Sequence, residues 1–87
     1  MKTATLVKQL TGGRKDVDQA LYLLSEPLEG HTHVVVSAAS VLGRPETYIF
    51  AADESGEITE WLELDGSMRG TLQHKDALAK AGYEVEK

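Results

Sequence analysis

The sequence predicts a single α+β domain over residues 1–87, with an antiparallel, meander-like sheet of about five to six strands and one short C-terminal helix. Three observations support this prediction. Apolar residues recur at strand spacing in short runs, glycine and proline separate these runs, and a helical segment with favourable end charges lies near the C-terminus. A chain of 87 residues, of which 41% are hydrophobic, suits one domain with one compact core.

Two strands are predicted from their apolar patterns. Thr3–Leu10 alternates in polarity and is followed by Gly12 and Gly13, a pair typical of a turn. His31–Leu42 gives the clearest strand, and its apolar residues fall into two sets, Val34, Val36, Ala38 and Leu42 on one face and Val35, Ala39 and Val41 on the other. Apolar residues on both faces indicate a central strand that is covered on each side.

The segment between these strands fits two structures. Its apolar residues match helical spacing as Val17, Ala20, Leu21 and Leu24, and strand spacing as Ala20, Tyr22 and Leu24. Pro27 and Gly30 follow closely and leave little room for a helix of normal length. We therefore favour a strand at about residues 19–25.

Residues 46–64 predict a β-hairpin. Gly43-Arg44-Pro45 should turn the chain into it, because proline fixes its own φ and biases the preceding residue away from helix. Glu46–Ala52 and Glu57–Leu64 flank Asp53-Glu54-Ser55-Gly56, in which aspartate opens the turn and glycine supplies a positive φ. In the return strand we expect one side to carry Ile58, Glu60, Leu62 and Leu64, and the more solvated side to carry Glu57, Thr59, Trp61, Glu63 and Asp65.

A short helix is predicted at about His74–Ala81. Asp76 in its first turn and Lys80 in its last both suit the helix dipole, whereas Gln73 is a poor N-cap, so the helix start is expected to fray. Gly82 fits the left-handed position after the helix, from which Tyr83 can fold back onto Leu78 in a Schellman ending. The alternating residues 83–86 predict a last edge strand.

Composition excludes several function classes. The chain has no cysteine, which rules out disulfides and thiolate-ligated zinc. Its net charge of −5 argues against direct nucleic-acid binding, and the short apolar runs predict no membrane span. The charges are polarised, with four basic residues and no acid in residues 1–15, and seven acids and no base in residues 46–65.

His31 and His33 form the sharpest metal-like pattern. Alternate residues of a strand point the same way, so both imidazoles can face one ion. A closed zinc site needs about four ligands, however, and the chain has three histidines in all. We therefore expect solvated strand-end histidines and no metal or other cofactor.

Other polar groups predict chemistry only weakly. Gly66-Ser67-Met68-Arg69-Gly70 could hold an anion but lacks the lysine and hydroxyl ending of a P-loop, and a connection that needs glycine torsions is favoured. Ser67 and His74 have no nucleophile-elbow motif around them. The carboxylate pairs Glu60/Glu63 and Asp53/Glu54 are expected from the abundance of acids. We predict no catalytic residue and no enzymatic activity.

The acidic hairpin is the strongest binding feature in the sequence. An exposed aromatic ring among carboxylates can anchor a basic partner, with charge speeding the encounter. The candidate binding residues are Trp61, Glu57, Glu63, Asp65 and Arg69. The alternative is that Trp61 packs in the interior and the acids keep a sheet edge soluble.

One family resembles this chain over about residues 16–85. The segment Pro45-Glu46-Thr47-Tyr48-Ile49-Phe50-Ala51-Ala52-Asp53, and the later Gly66-Ser67, Arg69-Gly70, His74, Ala77-Leu78 and Ala81-Gly82-Tyr83, are similar to small hypothetical proteins of actinobacterial phages, especially mycobacteriophages. The resemblance implies a phage accessory protein in the host cytoplasm and transfers no catalytic residue.

From the resemblance and the acidic hairpin we expect a non-enzymatic protein that binds a host or phage macromolecule. Two alternatives stay open. One is a minor structural or assembly component that forms homo-oligomers through exposed sheet edges. The other is a small metal-dependent enzyme that uses His31 and His33.

Overall fold

The computed structural model describes residues 2–10, 17–64 and 66–86, without the side chains of Val17, Val41, Trp61 and Leu62. These residues form seven strands and one helix: β1 Thr3–Gln9, β2 Val17–Leu28, β3 His31–Val41, β4 Arg44–Ala52, β5 Ile58–Glu63, β6 Met68–Arg69, α1 His74–Lys80 and β7 Glu84–Glu86. The predicted α+β class is confirmed. The predicted turn at Gly12 and Gly13 lies outside the described residues.

The strands form one sheet in the order β5-β4-β3-β2-β1-β7, and β6 pairs with the part of β4 that β5 leaves open. The first five strands follow one another as antiparallel neighbours, which is the predicted meander. The last strand departs from it, because β7 runs parallel to β1. Helix α1 makes this parallel return possible by carrying the chain across one face of the sheet.

Strand β3 is buried on both faces, as predicted for a central strand. Val34 and Val36 face the helix side and are fully buried with Ile49, Leu78 and other apolar residues of the main core. Val35 points to the opposite face, where it pairs with Leu21, and both side chains are also fully buried.

The end of the β4–β5 hairpin reaches the far side of the sheet. A Cβ at Gly56 would lie 2.9 Å from Leu10 Cδ2 and 3.2 Å from Lys8 Cε. Strand β5 is at one edge of the sheet and β1 lies near the other, so this contact requires a strongly coiled sheet. The coiling brings the hairpin end against β1.

Two tight turns join β2 to β3 and β3 to β4. In the first turn, Leu28 pairs with His31 and Glu29-Gly30 connects them. In the second, Val41 pairs with Arg44 and Leu42-Gly43 connects them. All four turn residues have positive φ, the pattern of a type I′ turn. The predicted turn at Gly43-Arg44-Pro45 is therefore placed one residue too late in the sequence, since Arg44 and Pro45 already belong to β4.

The prediction that Leu42 continues the face of Val34 is also wrong. Leu42 has a φ of 52° and its side chain is 98% exposed. The two-residue turn needs this conformation to match the twist of its strands.

The end of α1 matches the predicted Schellman motif. The Gly82 amide donates to the Ala79 carbonyl at 3.0 Å and the Tyr83 amide donates to Leu78 at 2.8 Å, with Gly82 at a φ of 98°. Gln73 makes no side-chain cap. The hydroxyl of Thr71 accepts from the Gln73 amide at 3.0 Å and donates to Asp76 at 2.8 Å, which fixes the approach to the helix.

Strand β5 does not have the two regular faces that its sequence predicts. Ile58 pairs with Ala52, Glu60 with Ala51 and Glu63 with Phe50, so β5 contains three residues more than the matching stretch of β4. Bulges of this kind break alternation. Ile58 and Glu63 consequently share a face that Glu60 does not, which corrects the predicted sets.

Candidate functional site

The strongest candidate site is the β5 hairpin surface, which we define as the four exposed carboxylates Glu54, Glu57, Glu60 and Glu63. None of them forms an ion pair within 4.0 Å with a cation among the described residues. Glu60 pairs with Ala51 and Glu63 with Phe50, so these two carboxylates lie on opposite faces of the edge strand. The arrangement places negative charge along one edge of the sheet, and Arg69 lies near enough to Glu63 to interact with its charge.

The five predicted binding residues are only partly brought together. Glu57 immediately precedes β5 and Glu63 is its last residue, and both are exposed. Arg69 lies in β6, on the neighbouring part of the same edge. The side chain of Trp61 and the whole of Asp65 lie outside the described part of the chain.

Arg69 is tied to β4. Its Nε lies 3.3 Å from Glu46 Oε2, and the Tyr48 hydroxyl donates to the other oxygen of the same carboxylate. Hydrogen bonding to Glu46 and partial burial raise the pKa of Tyr48. The hydrogen bond between Arg69 and Tyr48, with the negative charges of Glu46 and Glu63, raises the pKa of Arg69. Arg69 therefore serves as the positive end of a local pair more than as a free anion receptor.

The turn that leads into β5 is held by Asp53. Its Oδ1 accepts from the Ser55 hydroxyl at 2.5 Å, from the Ser55 amide at 2.9 Å and from the Glu57 amide at 3.0 Å. These bonds, with the Ser55 hydroxyl first, lower the pKa of Asp53, because they stabilise the ionised form. With Gly56 at a φ of 95°, this is the predicted turn.

Acid should loosen this turn. Since the folded-state pKa of Asp53 lies below its unfolded value, its charge stabilises the fold above about pH 4 and this contribution is lost as pH falls through the lower, folded-state pKa. We expect the Tm advantage of wild type over Asp53→Asn to shrink between pH 5 and pH 2.5, measured by circular dichroism. Glu54→Gln in the same turn is the control, and a constant Asp53→Asn difference across that range contradicts the assignment.

Ser67 has a structural role at the gap between β5 and β6. Its hydroxyl accepts from the Ile49 amide at 2.9 Å and donates to the Leu64 carbonyl at 2.9 Å. It completes the β4 edge where neither short strand reaches. Gly66 and Gly70, at the two ends of this loop, have positive φ. The Gly70 amide donates a hydrogen bond to the Pro45 carbonyl. The loop geometry thus supports the connection that needs glycine torsions.

His74 belongs to a polar cluster that sequence reasoning missed. Its Nδ1 lies 3.2 Å from the Tyr22 hydroxyl, and its Nε2 lies 2.9 Å from the Asp18 carbonyl and 3.5 Å from Asp18 Oδ2. Gln9 donates to the other Asp18 oxygen at 2.5 Å. Burial, then the charge of Asp18, raises the pKa of Tyr22. The cluster fastens the start of α1 to β1 and β2, with both nitrogens of His74 engaged.

His31 and His33 are both half-buried near the start of β3. His31 pairs with Leu28 and His33 with Leu23, and His33 Nδ1 lies 3.4 Å from the Thr32 hydroxyl. Among the described residues, no three histidine or carboxylate side chains are grouped as a metal site.

No protein-family model, curated protein or solved structure matches this chain. Over the described ranges, no helix has the length and apolar character needed to cross a membrane.

Proposed function

We propose that this chain is a non-enzymatic binding protein whose β5 hairpin surface docks a basic segment of another protein. The observation that carries the proposal is the set of four exposed carboxylates on an edge hairpin, none paired with a described cation. Such a surface attracts Lys- and Arg-rich segments from a distance and accelerates their encounter.

The shape of the edge favours an extended partner. Glu60 shares a face with Ala51 and Glu63 shares the opposite face with Phe50, so the charge lies on both sides of one strand. A flexible basic segment can follow such an edge, with lysine or arginine side chains reaching to either side. A rigid flat surface could not meet both Glu60 and Glu63.

The neighbouring polar groups support binding over catalysis. Ser67 and His74, the candidate nucleophile and base, are each engaged in hydrogen bonds that hold backbone segments together. The resemblance to actinobacterial phage proteins further supports an accessory protein in the host cytoplasm, with a host or phage protein as its partner. The net charge of −5 favours a protein partner over a nucleic acid.

Charge reversal on the hairpin tests this function. We expect Glu57→Lys combined with Glu63→Lys to reduce capture of a basic partner from a mycobacterial lysate by about tenfold or more, because attraction becomes repulsion. The captured protein should also be released as ionic strength rises from about 0.05 M to about 0.5 M. Trp61→Ala tests whether the indole contributes an anchor to the same contact.

The matched control is Glu26→Lys combined with Glu86→Lys, which changes the net charge equally at exposed positions outside the hairpin. The control should retain capture, and both double variants should keep the wild-type circular dichroism spectrum. Equal loss in the two variants would contradict a docking site on the hairpin, because total charge alone would then account for binding.

A further inference from the structure

Leu42 is an exposed apolar side chain on a strained backbone. It occupies the first position of the β3–β4 turn at a φ of 52°, where asparagine or glycine is favoured, and it is 98% exposed. An exposed leucine alone is ordinary. Its left-handed conformation costs stability, and its full exposure gives no packing within the chain in return, which points to a contact outside its own fold.

A shallow apolar groove lies between α1 and β7. Its floor is formed by Ala79 of α1, Tyr83, and Val85 of β7, and its rim carries the charged side chains Lys75, Asp76 and Glu84. Two carboxylates against one ammonium make the rim acidic. The groove therefore suits an apolar side chain that is accompanied by a cation.

The β3–β4 turn offers that combination. Arg44, which follows the turn, is exposed two residues after Leu42. Leucine and arginine together complement an apolar floor and an acidic rim in both shape and charge.

The turn and the groove do not meet within one molecule. Leu42 is 98% exposed and is not among the residues that line the groove. Arg44 is also exposed and lies outside the groove. A second copy of the chain supplies the missing partner.

We propose that Leu42 of one copy inserts into the groove of Ala79, Tyr83 and Val85 on the next copy, with Arg44 against Asp76 and Glu84. The contact is heterologous, because different surfaces meet, and it propagates as a ring or an open chain of copies. It is separate from the β5 hairpin surface and does not depend on the proposed function of that surface.

Two variants, each blocking one half of the contact, test the proposal. Leu42→Asn removes the inserted side chain and creates an Asn-Gly turn of the preferred type, so the fold should become more stable. Ala79→Lys fills the groove and repels Arg44, at an exposed helix position where lysine is well tolerated. By sedimentation equilibrium, we expect wild type to show a mass that rises with concentration up to about 1 mM, and each variant to stay monomeric.

Mixing the two variants gives the decisive result. Leu42→Asn retains an intact groove and Ala79→Lys retains an intact Leu42, so an equimolar mixture should form one-to-one dimers and nothing larger. Monomeric wild type at every concentration would overturn the proposal. So would assembly that survives Leu42→Asn, or a mixture that stays monomeric.

Discussion

Gly66→Ala is expected to lower the free energy of unfolding by about 3 kcal/mol, because two costs coincide at this position. Gly66 has a φ of 102°, which a residue with a Cβ rarely adopts. A Cβ there would also lie 2.6 Å from the Ala77 carbonyl oxygen and 2.7 Å from the Ala81 Cβ. Both neighbours belong to α1 or its end, so the helix would have to move away from the sheet.

Gly70→Ala separates the two costs. Gly70 has a similar φ of 97°, but a Cβ there would meet nothing within 4 Å. We expect this variant to lose only the torsional part, about 1 kcal/mol. Urea unfolding followed by circular dichroism measures both. Equal losses in the two variants would show that the close approach of α1 to Gly66 does not limit stability.

Features determined by neighbouring residues could be predicted from the sequence. The Asp53 turn and the helix ending at Gly82 each depend on a residue type at a fixed offset, and both form as expected. The central position of β3 follows from apolar residues on both faces, since a strand covered on each side has no polar face to show.

The ambiguity of residues 17–24 has the same physical cause. Ala20 and Leu24 face the main core, while Leu21 is buried on the opposite face. Burial on both faces places apolar residues next to one another and imitates helical spacing. Strand β2 proves to be a strand from Val17 to Leu28, longer than the predicted segment 19–25.

The predictions fail where the pairing between strands differs from what the residue pattern of a single strand indicates. Alternation in β5 assumes an unbroken ladder, but the ladder to β4 shifts twice, and nothing in residues 58–63 signals these shifts. The start of β4 at Arg44 differs from the prediction because proline is as typical of a turn as of a strand start. Pro45 fits the first part of a strand, where its carbonyl accepts from the Gly70 amide.

The candidate site was predictable in its charge and not in its contacts. The acidic run is visible in the sequence, and exposure of Glu57 and Glu63 follows from it. The links from His74 to Tyr22 and Asp18 span 52 and 56 residues. A histidine at the start of a predicted helix gives no sign of a partner that far away, so its structural role emerges only when α1 is placed on the sheet.

Tyr83→Ala should destabilise the fold even more than Gly66→Ala, with a loss of about 4 kcal/mol in the free energy of unfolding. The ring is 2% exposed and packs in the main core with Leu78. Its hydroxyl donates to the Glu26 carbonyl at 2.7 Å, and Lys2 Nζ lies 5.3 Å from the ring centroid. Removing the ring leaves a cavity between α1, β2 and β7 and breaks the hydrogen bond from Tyr83 to β2.

Tyr83→Phe distinguishes the cavity from the hydrogen bond. It keeps the ring and removes the donor to Glu26, so we expect a loss of about 1 to 2 kcal/mol. Urea unfolding at neutral pH measures both variants, since the pKa of Tyr83 is raised by burial and the hydroxyl stays protonated. If Phe and Ala cost the same, the bond to β2 and not the filled volume holds the C-terminal segment. If both cost little, α1 and β7 are not a cooperative part of the fold, because this side chain lies where both meet the sheet.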